Sequence, residues 1–281
     1  MSFKILRGDC RDLLHWEVLR EVEFSRSIDL TFLDPPFNQS KKYKSHKDNM
    51  PENAYWQWMK EIARRIYDIT SFGGAIYFMQ REKNAEYVLR CLRETGWEFQ
   101  NLIIWKKMTS AIPSPIRFGK HYQIIAFATK GKKTRTFNKL RIKPPLKPNY
   151  KQERKNGIYL TDVWDDIREL TSGYFAGQEP IRDNEGRRFH KQQSPIKLLT
   201  RIILSSTKPG DLVLDPFAGT GTTIVVSEQL GRNSIGMELD PENVNIMHQR
   251  MSCMRDADNV SGFMEDYHYT KNLDCIWPKI E

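Results

Sequence analysis

The fold of this chain is indicated by residues 211–223, which read Asp-Leu-Val-Leu-Asp-Pro-Phe-Ala-Gly-Thr-Gly-Thr-Thr. An apolar strand ends at Leu214, an acidic turn follows at Asp215, and two glycines precede residues that can open a helix. Glycines in such a turn let a ligand approach the backbone closely. The stretch therefore predicts a strand, a ligand-binding loop and a helix, which is a unit of nucleotide-binding α/β folds.

Apolar runs and amphipathic stretches alternate along the rest of the chain. Strands are predicted to end at Leu33, Met79, Trp105, Thr129, Leu214 and Glu238, and helices to cover residues 52–70, 82–95, 195–206, 222–231 and 241–253. Ser194 and Pro195 suit the N-cap and the first position of the third helix. This alternation predicts an α/β protein with a doubly wound, mostly parallel sheet.

The loop after Leu214 points to one class of nucleotide ligand. A P-loop requires a Lys after its last glycine, and none follows Gly221. A dinucleotide fingerprint requires a third glycine where Ile224 stands. The Asp215 carboxylate repels a pyrophosphate but attracts a cation, which favours S-adenosyl-methionine. Glu238 ends the next strand, a position from which an acidic residue binds ribose hydroxyls. The predicted cofactor-binding residues of this half are Asp215, Phe217, Ala218, Gly219, Thr220, Gly221, Thr222 and Glu238.

A second motif, Asp34-Pro35-Pro36-Phe37, follows the apolar run at residues 28–33. The prolines lack an N–H and stiffen the backbone, so its carbonyl oxygens are available as acceptors. An ordinary turn is one interpretation. The other is a catalytic site made of Asp34, Pro35, Pro36 and Phe37, with Asp34 also facing the cofactor. In it, Asp34 and the Pro35 carbonyl accept hydrogen bonds from an exocyclic amine, and Phe37 stacks on the heterocycle that carries it.

Composition excludes several classes of protein. The 281-residue chain has no apolar run near the roughly 18 residues that a membrane span requires. Its first residues are unlike a signal peptide. The four cysteines are scattered without a Cys-x-x-Cys pair, so neither a zinc site nor a disulfide framework is expected. The cysteine pattern favours the reducing cytoplasm, and no metal is expected.

The net charge of +9 is concentrated in one segment. Residues 130–155 contain 11 Lys or Arg and one acidic residue, an excess of +10 that leaves the rest of the chain close to neutral. Such a segment suits nucleic-acid phosphates, although a solvated loop has the same composition. A second basic stretch, 38–50, directly follows Phe37 and is a candidate mobile loop. The predicted DNA-binding residues are Lys41, Lys42, Lys132, Lys133, Arg135, Lys139, Arg141 and Lys143.

The two motifs, at 34–37 and 217–221, together resemble those of the DNA amino-methyltransferases that use S-adenosyl-methionine. The Asp-Pro-Pro motif precedes the glycine motif, and the basic segment lies between them. That order resembles the beta-type permutation of adenine-N6 and cytosine-N4 methyltransferases from restriction–modification systems. The resemblance covers most of residues 1–250. It implies a permuted Rossmann-like methyltransferase core, S-adenosyl-methionine as cofactor and double-stranded DNA as substrate.

The resemblance also implies roles for segments outside the two motifs. Gly8-Asp9-Cys10 resembles an N-terminal element that holds the cofactor adenine through Asp9 and Cys10. Residues 190–195 stand where the family has His-Pro-x-x-Lys-Pro, with Lys191 and Ser194 as departures. The residues there that the resemblance assigns to the methionine carboxylate are Gln192, Gln193 and Ser194.

The implied domains are a core at 1–130 and 190–260 with the catalytic half first, a target-recognition insertion at 131–189 and a tail at 261–281. The implied partners are duplex DNA and a cognate restriction endonuclease. The protein is expected to be a monomer or a homodimer without a membrane contact.

The sequence therefore predicts methyl transfer to the exocyclic amine of an adenine flipped out of duplex DNA. An Asp in the first motif position resembles the adenine enzymes more often. Cytosine is the first alternative, because both bases present an NH2 beside a ring-nitrogen acceptor. RNA bases, protein glutamine side chains and a non-enzymatic nucleic-acid-binding role are further alternatives. If the strands ending at Leu33 and Leu214 are neighbours, cofactor and amine meet across about 180 residues.

Overall fold

The computed structural model describes residues 2–21, 27–41, 45–46, 48–109, 112–143, 154–170, 177–183, 185–189 and 193–278. Strands and helices alternate through these ranges. The strands are β1 (Phe3–Arg7), β2 (Ile28–Leu33), β3 (Thr70–Arg81), β4 (Glu98–Lys106), β5 (Tyr122–Thr129), β6 (Arg141–Ile142), β7 (Ile158–Tyr159), β8 (Val163–Trp164), β9 (Leu212–Asp215) and β10 (Asn233–Glu238). The helices are α1 (Cys10–Leu13), α2 (Trp16–Glu21), α3 (Glu52–Ile69), α4 (Ala85–Glu94), α5 (Ile196–Ser206), α6 (Thr222–Gln229), α7 (Pro241–Ser252) and α8 (Leu273–Ile276).

Eight of the strands in the described ranges form one sheet in the order β1-β10-β9-β2-β3-β5-β4-β8. Only β5 runs against its neighbours, β3 and β4, and the other pairs are parallel. The predicted doubly wound, mostly parallel sheet is confirmed. The order of connection reverses between β9 and β2, which pair through Leu30 with Val213 and Thr31 with Leu214. Ligands of open α/β sheets bind at such a reversal.

Helices cover both faces of the sheet, so its central strands are buried from both sides. In β2, Leu30 and Phe32 belong to the apolar cluster that includes α5, whereas Leu33 belongs to the cluster that includes α3. All six residues of β2 are buried, which accounts for its nearly continuous apolar sequence. No helix in the described part of the chain is long and apolar enough to cross a membrane.

Two local differences from the predicted elements bear on the site. The strand β1 was not predicted, because its five residues include Lys4 and Arg7, yet it pairs with β10 along its whole length. Helix α5 begins at Ile196 with Pro195 as its N-cap, whereas Ser194 was predicted to be the cap. The Ser194 hydroxyl instead donates a hydrogen bond to Asp34, so a tertiary contact replaces the local one.

The segments assigned to an insertion and a tail pack against the core. Strand β8 lies within 131–189 and pairs with β4, and Trp164 and Ile167 are buried in the same cluster as α5. In the segment 261–281, Tyr267 and Trp277 join that cluster. Described parts of both segments therefore share an apolar cluster with the core, and the domain boundaries stay a prediction.

Candidate active site

Both motifs lie at one edge of the sheet because β2 and β9 are parallel neighbours. Asp34 directly follows β2, and Asp215 is the last residue of β9. A cavity of about 810 Å³ opens there, within the range of ligand sites. The expectation that the two motif strands are adjacent is confirmed.

In the Asp-Pro-Pro-Phe turn, the Pro36 carbonyl is occupied by a side chain of the protein and the Pro35 carbonyl is not. The Tyr55 hydroxyl donates to the Pro36 carbonyl at 2.7 Å and itself accepts from the Gln80 amide at 2.9 Å. No described residue donates to the Pro35 carbonyl. Phe37 lines the cavity but is otherwise buried, with 4% of its surface exposed. The turn is thus fixed by α3 and β3, and the Pro35 carbonyl remains available to a ligand.

Asp34 provides the second acceptor. Its Oδ2 accepts a hydrogen bond of 3.0 Å from the Ser194 hydroxyl. Burial raises the pKa of Asp34 to about 8, the Ser194 hydrogen bond opposes the shift, and the nearby Asp215 carboxylate adds to it. The protonation state of this carboxyl group is therefore sensitive to small changes in its surroundings near neutral pH.

The stretch after Phe37 is held by one buried carboxylate. Asp48 accepts hydrogen bonds from the backbone N–H groups of Asn38, Gln39 and Lys41 at 2.7, 3.1 and 3.0 Å. Lys41 lines the cavity, and burial lowers the pKa of its ammonium. Residues 38–41, predicted as the start of a mobile loop, are thus tied to Asp48; Lys42 lies outside the described residues.

The glycine loop is shaped by Asp215. Its carboxylate accepts from the Phe217 N–H at 3.0 Å and from the Thr223 hydroxyl at 2.5 Å. Burial raises the pKa of Asp215 to about 7, against these two hydrogen bonds. Gly221 has φ +82°, and a Cβ there would lie 2.5 Å from Met247 Cγ. Glycine is therefore required at 221 by both the backbone conformation and the close approach of α7.

Glu238 holds the other side of the same loop. Its two carboxylate oxygens accept from the Gly219 N–H at 2.9 Å and from the Asp240 N–H at 2.8 Å. Burial raises the pKa of Glu238. At the neighbouring corner Asp9 caps α1, and a hydrogen bond from the Arg11 guanidinium lowers the pKa of Asp9. Both acids line the cavity from the ends of parallel strands.

Most of the predicted cofactor residues meet in this cavity. Those that line it are Asp9, Cys10, Asp34, Gln193, Ser194, Asp215, Phe217, Ala218, Gly219, Thr220, Thr222 and Glu238. Gly221 does not line the cavity but shapes the loop through its backbone conformation. Gln192 lies outside the described residues. The Gln193 amide is occupied by Glu179 and Ile181, to whose backbone it bonds at 3.2 and 3.0 Å. Because its side-chain amide is occupied, only the backbone of Gln193 is available for the predicted contact with a ligand.

The lining fits S-adenosyl-methionine. Seven carboxyl groups among the described residues face the cavity, those of Asp9, Asp34, Asp183, Asp215, Glu238, Asp240 and Glu242. An acidic lining suits a ligand that carries an ammonium and a sulfonium. Arg188 also lines the cavity, and its Nε and Nη2 atoms are buried without a hydrogen-bond partner among the described residues. Two buried N–H groups of a guanidinium suit an anionic acceptor such as the methionine carboxylate.

Sequence reasoning missed the aromatic wall of the cavity. Trp58, on α3, packs edge-on against Phe217 at 5.6 Å and stacks on His46 at 5.3 Å. Nothing in the local sequence distinguishes Trp58 from the neighbouring Trp56, which faces Tyr87 outside the cavity. Only the position of α3 over the sheet selects it.

The described residues 130–139 of the basic segment lie at the edge of the sheet opposite the cavity. The Arg135 N–H bonds to the Gly73 carbonyl at 2.7 Å, and its guanidinium pairs with Asp29 at 3.2 Å. Asp29 precedes Asp34 by five residues of β2, or about 17 Å along the strand. The residues placed at this far edge are Lys132, Lys133, Arg135 and Lys139.

Arg141 is held within the protein. Its guanidinium bonds to the carbonyls of Asn156 and Gly157 and lies 4.2 Å from the Tyr159 ring centre. Lys143 is exposed beyond β6. The DNA-binding roles of these residues stay predictions, and Lys41 is the member of the described set that lines the cavity.

The fold and the site together define a class, the Rossmann-like α/β methyltransferases. Residues 28–249 match a family described as DNA methylase, N6_N4_Mtase, and the chain belongs to this family.

Individual relatives agree with this membership. The Type II methyltransferase M.HpaI of Haemophilus parainfluenzae is 30% identical over 236 residues, which cover 84% of this chain and 71% of that protein. The DNA adenine methyltransferase YhdJ of Escherichia coli (strain K12) is 28% identical, covering 87% of this chain and 83% of that protein. The crystal structure of an M1.HpyAVI–SAM complex superposes with a TM-score of 0.58 at 21% identity, covering 89% of this chain and 99% of that one. This likeness shows the shared fold.

Proposed function

We propose that this protein transfers a methyl group from S-adenosyl-methionine to the exocyclic amine of an adenine flipped out of duplex DNA. The observation that carries the proposal is the meeting of two acceptors and a nucleoside-type loop in one cavity. The acceptors are the Asp34 carboxylate and the Pro35 carbonyl, and the loop is the one between Asp215 and Thr222. Membership of the DNA methylase family supports DNA as the polymer that carries the amine.

The two acceptors perform the chemistry by orientation. The lone pair of an aromatic amine is delocalised into the ring, so the amine is a poor nucleophile. Hydrogen bonds to Asp34 and to the Pro35 carbonyl hold both amine protons out of the ring plane and favour a pyramidal nitrogen. Because the Tyr55 hydroxyl fixes the Pro36 carbonyl, the turn needs no rearrangement when the base arrives. Phe37 offers the ring on which the base stacks.

The donor half provides an acidic cradle that also contains Arg188. S-adenosyl-methionine supplies an electrophilic methyl group when it is bound. Glu238 binds the ribose hydroxyls, Asp9 and Cys10 hold the adenine, and Asp215 shapes the loop under them. Arg188, with two unpaired N–H groups, binds the methionine carboxylate. It takes the place of the Lys that the family pattern has where Ser194 stands.

Adenine is the proposed target, rather than cytosine. The first motif residue is Asp34, and the relative YhdJ is named a DNA adenine methyltransferase. The likeness to a Type II methyltransferase supports a cognate restriction endonuclease as companion. The proposal implies a cytoplasmic protein, because the DNA of a prokaryotic cell lies there.

Mass spectrometry of nucleosides tests the function and the base together. Purified protein and labelled S-adenosyl-methionine are incubated with unmethylated duplex DNA, with RNA or with protein. We expect N6-methyladenine in DNA alone. N4-methylcytosine would overturn the choice of base, and label in RNA or protein alone would overturn the substrate. Asp34→Ala should abolish transfer but still bind S-adenosyl-methionine in calorimetry; near-normal turnover of this variant would refute the mechanism.

A further inference from the structure

An exposed apolar loop stands at the same edge of the sheet as the cavity. It joins β4 to β5, and its side chains Ile112, Ile116 and Phe118 are 93%, 92% and 95% exposed. No other large hydrophobic side chain in the described ranges is as exposed as these three. A cluster of solvent-exposed apolar side chains is unusual on a monomeric protein and indicates an interaction surface.

The ends of this loop are fixed to the sheet. The Lys107 N–H donates to the His121 carbonyl at 2.8 Å and closes the loop at its base. The Glu169 carboxylate accepts from the N–H groups of Met108 and Thr109 at 2.8 and 3.0 Å. The exposed side chains therefore project from an anchored base.

The tip of the loop is a tight turn. Ser114 and Arg117 exchange backbone hydrogen bonds of 3.1 and 3.4 Å, which places Pro115 and Ile116 at the corner. Phe118 follows directly. Ser110 and Ala111 lie outside the described residues. The turn thus presents an aliphatic and an aromatic side chain side by side.

The loop is close to the reacting group and carries only positive charge. Strand β4 runs parallel to β2, so its end at Lys106 and the Asp34 turn share one edge. Lys107 is near enough to Asp34 for each charge to affect the pKa of the other. Residues 106–121 contain four Lys or Arg and no acidic residue. Such a surface would repel a second copy of itself and attract a polyanion.

We propose that Ile116 and Phe118 insert into the base stack of the duplex beside the target base, and this inference rests on the proposed function. A flipped base leaves a gap, and apolar side chains that enter between base steps stabilise an opened duplex. Arg117, between the two wedge residues, contacts a flanking phosphate, whereas Lys120 is paired with Glu82 at 2.7 Å. The loop lowers the cost of extracting the base, whereas Asp34 and the Pro35 carbonyl act on the extracted base.

The test separates base extraction from chemistry. The sequence that the wild-type protein methylates is mapped by sequencing and built into two duplexes. In one the target base is normally paired, and in the other it faces an abasic sugar, so that little pairing remains to be broken. The quantity compared is kcat/KM for Phe118→Ala, Ile116→Ser and the wild-type protein. Phe72→Ala is the matched control, because Phe72 is 77% exposed and lies on β3 at the opposite edge of the sheet.

We expect each loop variant to lose roughly 10- to 100-fold on the paired duplex, the worth of one stacked base, and less than about 3-fold on the abasic one. The control should match the wild type on both. Equal losses on the two duplexes, or no loss on the paired one, would overturn the inference while leaving the proposed function intact. A change of oligomeric state in the variants, seen by sedimentation, would assign the loop to a contact between copies and also overturn it. Absence of methyl transfer to any DNA by the wild-type protein would refute the proposed function and the wedge with it.

Discussion

Ser194 controls the ionisation of Asp34, and its removal should move the pH dependence of methyl transfer. The hydroxyl donates to Asp34 Oδ2 at 3.0 Å and opposes the effect of burial, which raises the pKa of Asp34 to about 8. A hydrogen bond to a charged group is worth about 1.5–3 kcal/mol. Because one pKa unit corresponds to about 1.4 kcal/mol, Ser194→Ala should raise the pKa of Asp34 by roughly 1–2 units.

The sign of the effect on activity follows from the role of the carboxylate as acceptor. Activity requires the ionised form, so it falls as the pH drops through the pKa of Asp34. At pH 7 the ionised share of Asp34 in Ser194→Ala should be roughly 10- to 100-fold smaller than in the wild type, and the difference should shrink above pH 8. The bound cationic donor lowers the pKa of Asp34 in both the wild type and Ser194→Ala. The quantity to compare is therefore the difference between the pH midpoints of their activity profiles.

The assay is kcat/KM for DNA between pH 6 and 9.5 at saturating S-adenosyl-methionine. Ser194→Thr, which keeps a hydroxyl, should restore the midpoint. Ser45→Ala removes another hydroxyl of the cavity wall, one that bonds to Asp240 at 3.2 Å, and should leave the midpoint where it is. Parallel profiles with equal midpoints for Ser194→Ala and the wild type would show that Ser194 acts through binding alone, and would refute this reasoning.

Other consequences of the site can be measured without turnover. Asp34→Asn removes a carboxyl whose pKa is higher in the folded than in the unfolded chain, so the variant should be more stable than the wild type at pH 9. This gain in stability should shrink as the pH falls from 8 towards 4. Thermal unfolding at several pH values checks this, and a gain independent of pH would contradict it. Gly221→Ala and Gly210→Ala should each cost about 1–2 kcal/mol of unfolding free energy, because both residues have positive φ, but only the former also clashes with Met247 and should lose donor binding in calorimetry. Arg188→Met should weaken S-adenosyl-methionine roughly 10-fold or more and spare methylthioadenosine, which lacks the carboxylate; equal losses would exclude the proposed contact. Donor binding at pH 7.5 should release protons from the two buried carboxyl groups at the strand ends, which would appear as a binding heat that depends on the ionisation enthalpy of the buffer.

The arrangement of the catalytic edge was predictable from sequence, because its signals are local. Each motif is an apolar strand ended by an acid, Asp34 in one case and Asp215 in the other, and parallel strands bring such ends together. The supporting contacts were not predictable. Tyr55 reaches the Pro36 carbonyl from α3, and only the packing of that helix on the sheet selects its hydroxyl. Ser194 has the propensity of an N-cap, and a contact 160 residues away in sequence overrides it.

The position of the basic residues on the sheet was not predictable from the sequence, for a general reason. Composition gives the charge of a segment but not the edge of the sheet at which it lies. Arg135 is held beside Asp29 by backbone pairing with Gly73, a contact that depends on how the chain returns after β5. The loop with Ile116 and Phe118 has only two cations around its tip and would not stand out by charge. Its signal is exposure, which becomes visible only after folding.

The raised pKa values of Asp34 and Asp215 connect the two halves of the site. Burial raises the pKa of each carboxyl, and the Asp215 carboxylate adds to the shift at Asp34. Since the pKa of Asp34 is raised to about 8, we expect Asp34 of the free protein to be mostly protonated at pH 7 and to donate a hydrogen bond, which is the wrong polarity for an incoming NH2. A cationic donor in the cavity favours the ionised forms of both acids, so its binding converts Asp34 into an acceptor. We therefore expect the amine site to become competent only after the donor half is filled, an order that needs no movement of the backbone.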